Sequence, residues 1–305
     1  MCIFCDACAA SNPGQNTIHG TDDVDLLIGN SLANSILGKA GSDHLSGHGG
    51  DDYVYGNEGD DYILGGEGND YLVGDSIIGV LTDTSNDTIH GGAGDDRLFG
   101  GADKDYLFGG EGNDSLYGGS GDDKLLGDFG DDKLFGLEGS DEIVGGEGND
   151  SLYGGNGLSG FSDAADTLDG GSGEDLLLGD MGNDVLTGGN GADRFGFVGG
   201  KEFTSASLGV DVINDFGNGE DRILLDEIVF QSLNSDADSQ INRNEYVAVT
   251  DDATAMTREE LIVYSTSTGN IFYNENGAAD GFGEGGQFAT LVGQPELVAE
   301  DLVLV

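Results

Sequence analysis

GGEGNDYLV at residues 65–73 and GGEGNDSLY at both 109–117 and 145–153 are copies of one nine-residue unit. Outward from them in steps of nine, the pattern Gly-Gly-x-Gly-x-Asp-x-apolar-x continues through eighteen consecutive units. The first begins at Gly20; the last begins at Gly188 and ends at Gly196. Position six is Asp in seventeen of the eighteen, Asn34 being the exception, and position eight is always apolar, from Leu27 to Phe195. Only two units are longer: loops of eight and seven extra residues delay the acid to Asp87 in the unit from Gly74 and to Asp166 in the unit from Gly154.

Each fixed slot has a physical reading. Glycine accepts positive φ and close backbone approach, so glycines at positions one, two and four let six residues bend tightly and turn their carbonyls toward one point. Positions seven to nine then form a very short strand, with the eighth side chain pointing inward and the seventh and ninth outward. One apolar residue per nine cannot make a core, so units must stack into a solenoid, two to a coil. An acid that keeps its phase with the glycines while positions seven and nine vary is placed to hold a ligand.

Six to eight carboxylate and carbonyl oxygens at about 2.3–2.6 Å suit calcium rather than zinc, and magnesium holds its waters too tightly for such a cage. The candidate ligands are Asp43, Asp52, Asp61, Asp70, Asp87, Asp96, Asp105, Asp114, Asp123, Asp132, Asp141, Asp150, Asp166, Asp175, Asp184 and Asp193. The turn glycines Gly66, Gly68, Gly92, Gly94, Gly110, Gly112, Gly119, Gly121, Gly146, Gly148, Gly171 and Gly173 accompany them. With a row of gaps on each side of the coils, about 16 calcium ions is the upper bound.

These repeats resemble the parallel β-roll of the RTX family of exported bacterial proteins, over more than half of the chain. The resemblance implies an all-β fold: a right-handed parallel β-roll over 16–196, preceded by a flexible segment over 1–15. A β-rich C-terminal cap and secretion-signal region is expected over 197–305. The units from Gly20 (GTDDVDLLI) and Gly29 (GNSLANSIL) lack the second and fourth glycines, so incomplete calcium sites are expected there. The resemblance also implies a secreted, extracellular protein, at the cell surface or free of it, that leaves through a type I exporter by an uncleaved C-terminal signal. The ending Glu300-Asp301-Leu302-Val303-Leu304-Val305 fits such an acidic-then-apolar terminus and equally fits a last strand.

The charge supports a coupling of folding to metal. With 59 acidic and 10 basic residues the formal charge is −49, and 58 glycines raise the entropy cost of order. About 16 divalent ions would bring −49 to about −17, so folding and calcium binding are expected as one event. Few, scattered basic residues exclude nucleic acid as a partner. No segment is long and apolar enough for a membrane span, and MCIFCDACAA lacks the basic start and the length of a Sec signal.

Beyond the repeats, alternation predicts strands at 211–216, 221–225 and 246–250, a hairpin of 261–264 with 270–273, and a closing strand at 301–305. GVDVINDFGNGEDRILL (209–225) and LIVYSTSTGNIFYNENG (261–277) resemble C-terminal regions that follow RTX repeats in serralysin-like proteins. No H-E-x-x-H and no G-x-S-x-G occurs, so neither a protease domain nor a nucleophile elbow is expected. Asp236, Asp238, Gln240, Asn242 and Glu245 are set aside as an EF-hand because Ile241 replaces the loop glycine. His44 and His48 read as exposed imidazoles, with His19 and His90 standing alone. Cys2, Cys5 and Cys8 lack the fourth thiolate of an iron–sulfur site; free thiols, an intermolecular disulfide or a terminal segment without a role remain open.

Position nine of the even units reads Leu37, Tyr55, Val73, Phe99, Tyr117, Phe135, Tyr153, Leu178, an outward apolar and aromatic ladder. It fits cross-strand stacking within a parallel sheet and equally a face for self-association or a cell-surface partner. The sequence therefore points to a non-enzymatic, calcium-folded, secreted surface, matrix or adhesive component; a secreted enzyme with its site in the C-terminal region is the alternative.

Overall fold

The computed structural model describes residues 16–75, 85–155, 164–198, 209–217, 220–235, 239–277, 282 and 285–305. The N-terminal cysteines, the inserted loops at 76–84 and 156–163, and Asp236 and Asp238 lie outside the described residues. Two compact units divide the chain, Met1–Glu147 and Gly148–Val305.

In the first unit, successive repeats alternate between two parallel sheets. One holds the strands Thr17–His19, Ser35–Ala40, Tyr53–Glu58, Tyr71–Val73, Arg97–Ala102, Ser115–Ser120 and Lys133–Glu138, in that order. The other holds Leu26–Ile28, His44–Gly49, Tyr62–Glu67, Thr88–Ala93, Tyr106–Glu111, Lys124–Phe129 and Glu142–Glu147. Like positions pair with like: Tyr106, Leu107 and Phe108 lie beside Lys124, Leu125 and Leu126. The eighth side chains fill the space between the sheets, with Ile36, Val54, Leu98, Leu107, Leu116 and Leu125 all 0% exposed. This is the parallel β-roll that the nine-residue period implies.

The strands are longer than the three residues expected. Most run for six, from position seven to position three of the next repeat, as in Tyr106–Glu111. The ladder continues because the early glycines still offer backbone donors: Gly74 N–H reaches the Phe99 carbonyl at 2.8 Å, and Gly94 N–H reaches that of Glu111 at 2.7 Å. Pairing skips only position one, where Phe108↔Leu126 is followed by Gly110↔Asp128. The true turn is thus confined to positions four to six.

The second unit begins in the same way, with Ser151–Tyr153, Leu176–Leu178 and Arg194–Phe197 in one sheet and Thr167–Ser172 and Val185–Asn190 in the other. Both sheets continue beyond the last repeat. Arg222–Leu225 pairs in parallel with Arg194–Phe197 and then with Leu302–Leu304, while Asp211–Ile213 extends the other sheet to Gly286–Leu291. There the direction changes: Asn270–Tyr273 runs antiparallel to both Gly286–Leu291 and Ile262–Ser265, and Tyr246–Val249 closes the edge. The hairpin and the strands near 211, 222, 246 and 302 fall where alternation places them. Gly286–Leu291 and the short helix Asp252–Ala255, capped by Asp251, were not anticipated.

Candidate metal centre

The aspartates at position six are the polar interior of the roll. Every candidate from Asp43 to Asp193 is at most 3% exposed. In the first unit each is held by the repeat two earlier: the N–H of Asp43 donates to Asp61 Oδ1 at 2.7 Å, Asp52 to Asp70 at 2.8 Å, Asp87 to Asp105 at 2.7 Å and Asp96 to Asp114 at 2.8 Å. Asp114 donates to Asp132 at 2.7 Å and Asp123 to Asp141 at 2.8 Å. In the second unit Asp150 donates to Asp175, Asp166 to Asp184 and Asp175 to Asp193, at 2.8–3.0 Å.

The other carboxylate oxygen is the informative one. Oδ2 of Asp43, Asp52, Asp61, Asp70, Asp96, Asp105, Asp114, Asp123 and Asp175 is buried with no hydrogen-bond partner. An unpaired buried carboxylate oxygen is costly, and native structures leave few of them. The position-one glycines show what surrounds it. A Cβ on Gly56 would strike Asp61 Oδ2 and lie 2.9 Å from the Gly74 carbonyl oxygen of the next coil. On Gly109 it would strike Asp114 Oδ2 and lie 2.8 Å from the Gly127 carbonyl oxygen. Carboxylate and carbonyl oxygens therefore converge without a donor between them, which fits a hard cation with oxygen ligands.

The three glycines divide their labour more sharply than the sequence suggests. The candidates at positions two and four, Gly66, Gly68, Gly92, Gly94, Gly110, Gly112, Gly119, Gly121, Gly146, Gly148, Gly171 and Gly173, take φ between 101° and 145°. Position one is glycine for room.

Donors of the protein itself meet the first side chains of the rows in the first unit. Asp25 Oδ2 accepts from the N–H of Thr21 at 2.6 Å and its hydroxyl at 2.9 Å, and Asn34 Oδ1 accepts from Asn30 N–H at 2.7 Å. In the second unit, Asp184 and Asp193 donate to Oδ1 of Asp211 and Asp221, and Gly217 N–H meets Asp221 Oδ2 at 2.5 Å. Asp211 and Asp221 thus continue the rows. Sequence reading missed them because they follow at 27 and 28 residues instead of 18.

Burial sets the protonation of the row. It pushes the carboxyl of Asp61 up to about 8, Asp96 to about 8 and Asp105 to about 9; the backbone N–H bond opposes this and neighbouring aspartates reinforce it. Asp52 and Asp114 rise to about 6, and Asp70, Asp123, Asp132 and Asp175 to about 7, from the same leading cause.

A second ladder, unforeseen from the repeat, lies outside the first. Position-five side chains accept from the next coil: Asp95 N–H donates to Asn69 Oδ1 at 3.2 Å, Asn113 to Asp95 at 2.8 Å and Asp131 to Asn113 at 2.9 Å. The recurrence of Asn and Asp at position five was its available signal.

Other sequence candidates are placed elsewhere. His44 and His48 are exposed on one strand. The ring of His90 stacks on Phe108 at 4.5 Å and 7°. Glu245 ties its loop by accepting from Asn234 N–H and Nδ2 at 3.0 and 2.8 Å. Among the described residues, no group of three or more His, Cys, Asp or Glu side chains forms a metal cluster alone, so backbone carbonyls must complete any cage in the roll.

The fold and its oxygen rows define a class: calcium-binding solenoids built from glycine-rich nonapeptides. A sequence model of the RTX calcium-binding nonapeptide repeat matches residues 28–63, 49–76, 81–116, 99–134, 135–157 and 162–195, together just over half of the chain. The chain belongs to this RTX repeat family, and its repeats bind calcium. A similar solved structure is the solution structure of a subunit of the mannuronan C5-epimerase from Azotobacter vinelandii. It is 26% identical with a TM-score of 0.27, over 58% of this chain and 80% of that one. No curated protein matches the chain. No helix among the described residues is long and apolar enough to cross a membrane.

Proposed function

We propose that this is a secreted protein whose chain stays unfolded until it meets extracellular calcium, and that it then serves as a non-enzymatic surface, matrix or adhesive component. The observation that carries this reading is the pair of rows of buried Oδ2 atoms without donors, in a chain of charge −49. At neutral pH and above, such a chain folds only when a cation completes the rows. In a cytosol poor in free calcium it would thread a type I exporter unfolded, and outside the cell the metal would drive it to the folded state.

Far-UV circular dichroism tests the folding step. A disordered spectrum in chelator and a cooperative gain of β signal with calcium are expected; identical spectra in both refute it. Export is tested by deleting the last few tens of residues. Retention in the cell with calcium uptake preserved in the purified truncated chain is expected, and normal export of the truncated chain refutes the C-terminal signal.

A further inference from the structure

The seventh repeat departs from its neighbours in chemistry as well as length. Where the repeat pattern has glycine at positions two and four, this unit carries Asp75 and Ser85, on either side of its insertion. Both are buried, at 8% and 1% exposed. Ser85 Oγ donates to Asp75 Oδ1 at 2.5 Å, and the N–H of Ala102 in the following coil donates to Asp75 Oδ2 at 2.7 Å. Asp75 is thus fixed by hydrogen bonds to both of its oxygens at position two, where half of the units have glycine.

Along the row this turn lies between Asp61 of the coil before and Asp105 of the coil after. Their Oδ2 atoms lack hydrogen-bond partners, and the residues are 3% and 0% exposed. Asp61 Oδ2 faces the Gly74 carbonyl oxygen across the open point beside Gly56. The charge of Asp75 bears on both Asp61 and Asp105. Burying an additional carboxylate in a row of carboxylates is strongly unfavourable unless a cation compensates it. In oxygen cages, the number of charged ligands and their rigidity set calcium affinity.

We propose that the calcium positions flanking the Gly74–Asp75 turn gain Asp75 as an added carboxylate ligand, oriented by Ser85, and bind calcium more tightly than the other positions of the row. This rests on the calcium reading above. Calorimetric titration of the whole chain tests it. Wild type is expected to show a tight class of ions ahead of the rest, and Asp75→Asn to weaken that class roughly tenfold while the remaining ions still bind. Ser85→Ala, which keeps the carboxylate but removes the hydroxyl that orients it, should weaken the same class by about threefold. Asp128→Asn removes a half-exposed acid from the same repeat position in another unit and should leave the tight class unchanged. An Asp75→Asn isotherm that superposes on wild type overturns the proposal. Should Asp75→Asn not fold even in saturating calcium, Ser85→Ala decides, and an unchanged tight class there overturns it. No calcium uptake by the wild-type chain would instead overturn the calcium reading itself.

Discussion

The backbone N–H of Asp105 donates to Oδ1 of Asp123, eighteen residues onward, at 2.8 Å. The bond fixes the Asp123 carboxylate while its Oδ2 keeps no partner. One oxygen is structural and the other is left for a ligand. Asp123→Asn separates these roles, because an amide oxygen can still accept from the Asp105 N–H while its NH2 places a donor in the row. The variant is expected to fold in excess calcium, to bind fewer ions, and to need more calcium at its folding midpoint, by a free energy of about 2 kcal/mol. Calcium-dependent circular dichroism with ion counting checks this; an unchanged midpoint and count would remove Asp123 from the ligand set.

Protons and calcium compete for the same oxygens. Asp61, Asp96 and Asp105 rise from 3.8 to about 8, 8 and 9 in the folded chain. Because the folded state then binds more protons than the unfolded one, these groups favour the metal-free roll most below pH ~4, and that support is lost as pH rises toward about 9. The sign for calcium is opposite, since the metal requires ionised carboxylates. In chelator, β structure should appear on acidification and vanish at alkaline pH. In limiting calcium, affinity should climb between about pH 6 and 9. Calcium affinity independent of pH over that window would contradict the buried row.

Position one predicts a different failure from positions two and four. Gly109 lacks positive φ, yet a Cβ there would strike Asp114 Oδ2 and crowd the Gly127 carbonyl. Gly109→Ala should therefore cost about 1–3 kcal/mol through crowding alone and lower calcium affinity locally. Gly110, at φ 119°, would also meet the Gly92 carbonyl, so Gly110→Ala adds backbone strain and should be worse. Chemical denaturation in saturating calcium ranks the two; the reverse order would refute the assignment of room to one glycine and conformation to the other.

The period alone was enough to place Leu107 inside and Asp105 in the turn, because position eight is apolar in every unit and position six is Asp in all but one. Strand length was not legible, since glycine at positions one and two reads as a turn and only the pairing of Gly110 with Asp128 and Glu111 with Phe129 shows otherwise. Asp211 and Asp221 were hidden by spacing: the chain between successive acids lengthens, while the bonds from Asp184 and Asp193 keep their form.

The aromatic ladder of the even repeats supplies the last prediction. Tyr117 lies between Phe99 and Phe135 with centroids 4.9 Å from each and planes 4° and 3° apart, so both of its faces are already covered within the sheet. Rings stacked this way present edges outward, and all three are only half-buried. Cross-strand stacking accounts for this arrangement without a partner. Tyr117→Ser removes two stacks at about 0.5–1.5 kcal/mol each and should lower the melting temperature in calcium. Triple replacement of Phe99, Tyr117 and Phe135 by Ser should lower it further while leaving the mass from light scattering unchanged. A calcium-dependent fall in mass on triple replacement would show instead that the ring edges are a contact between copies, with the stacking serving to hold that face flat.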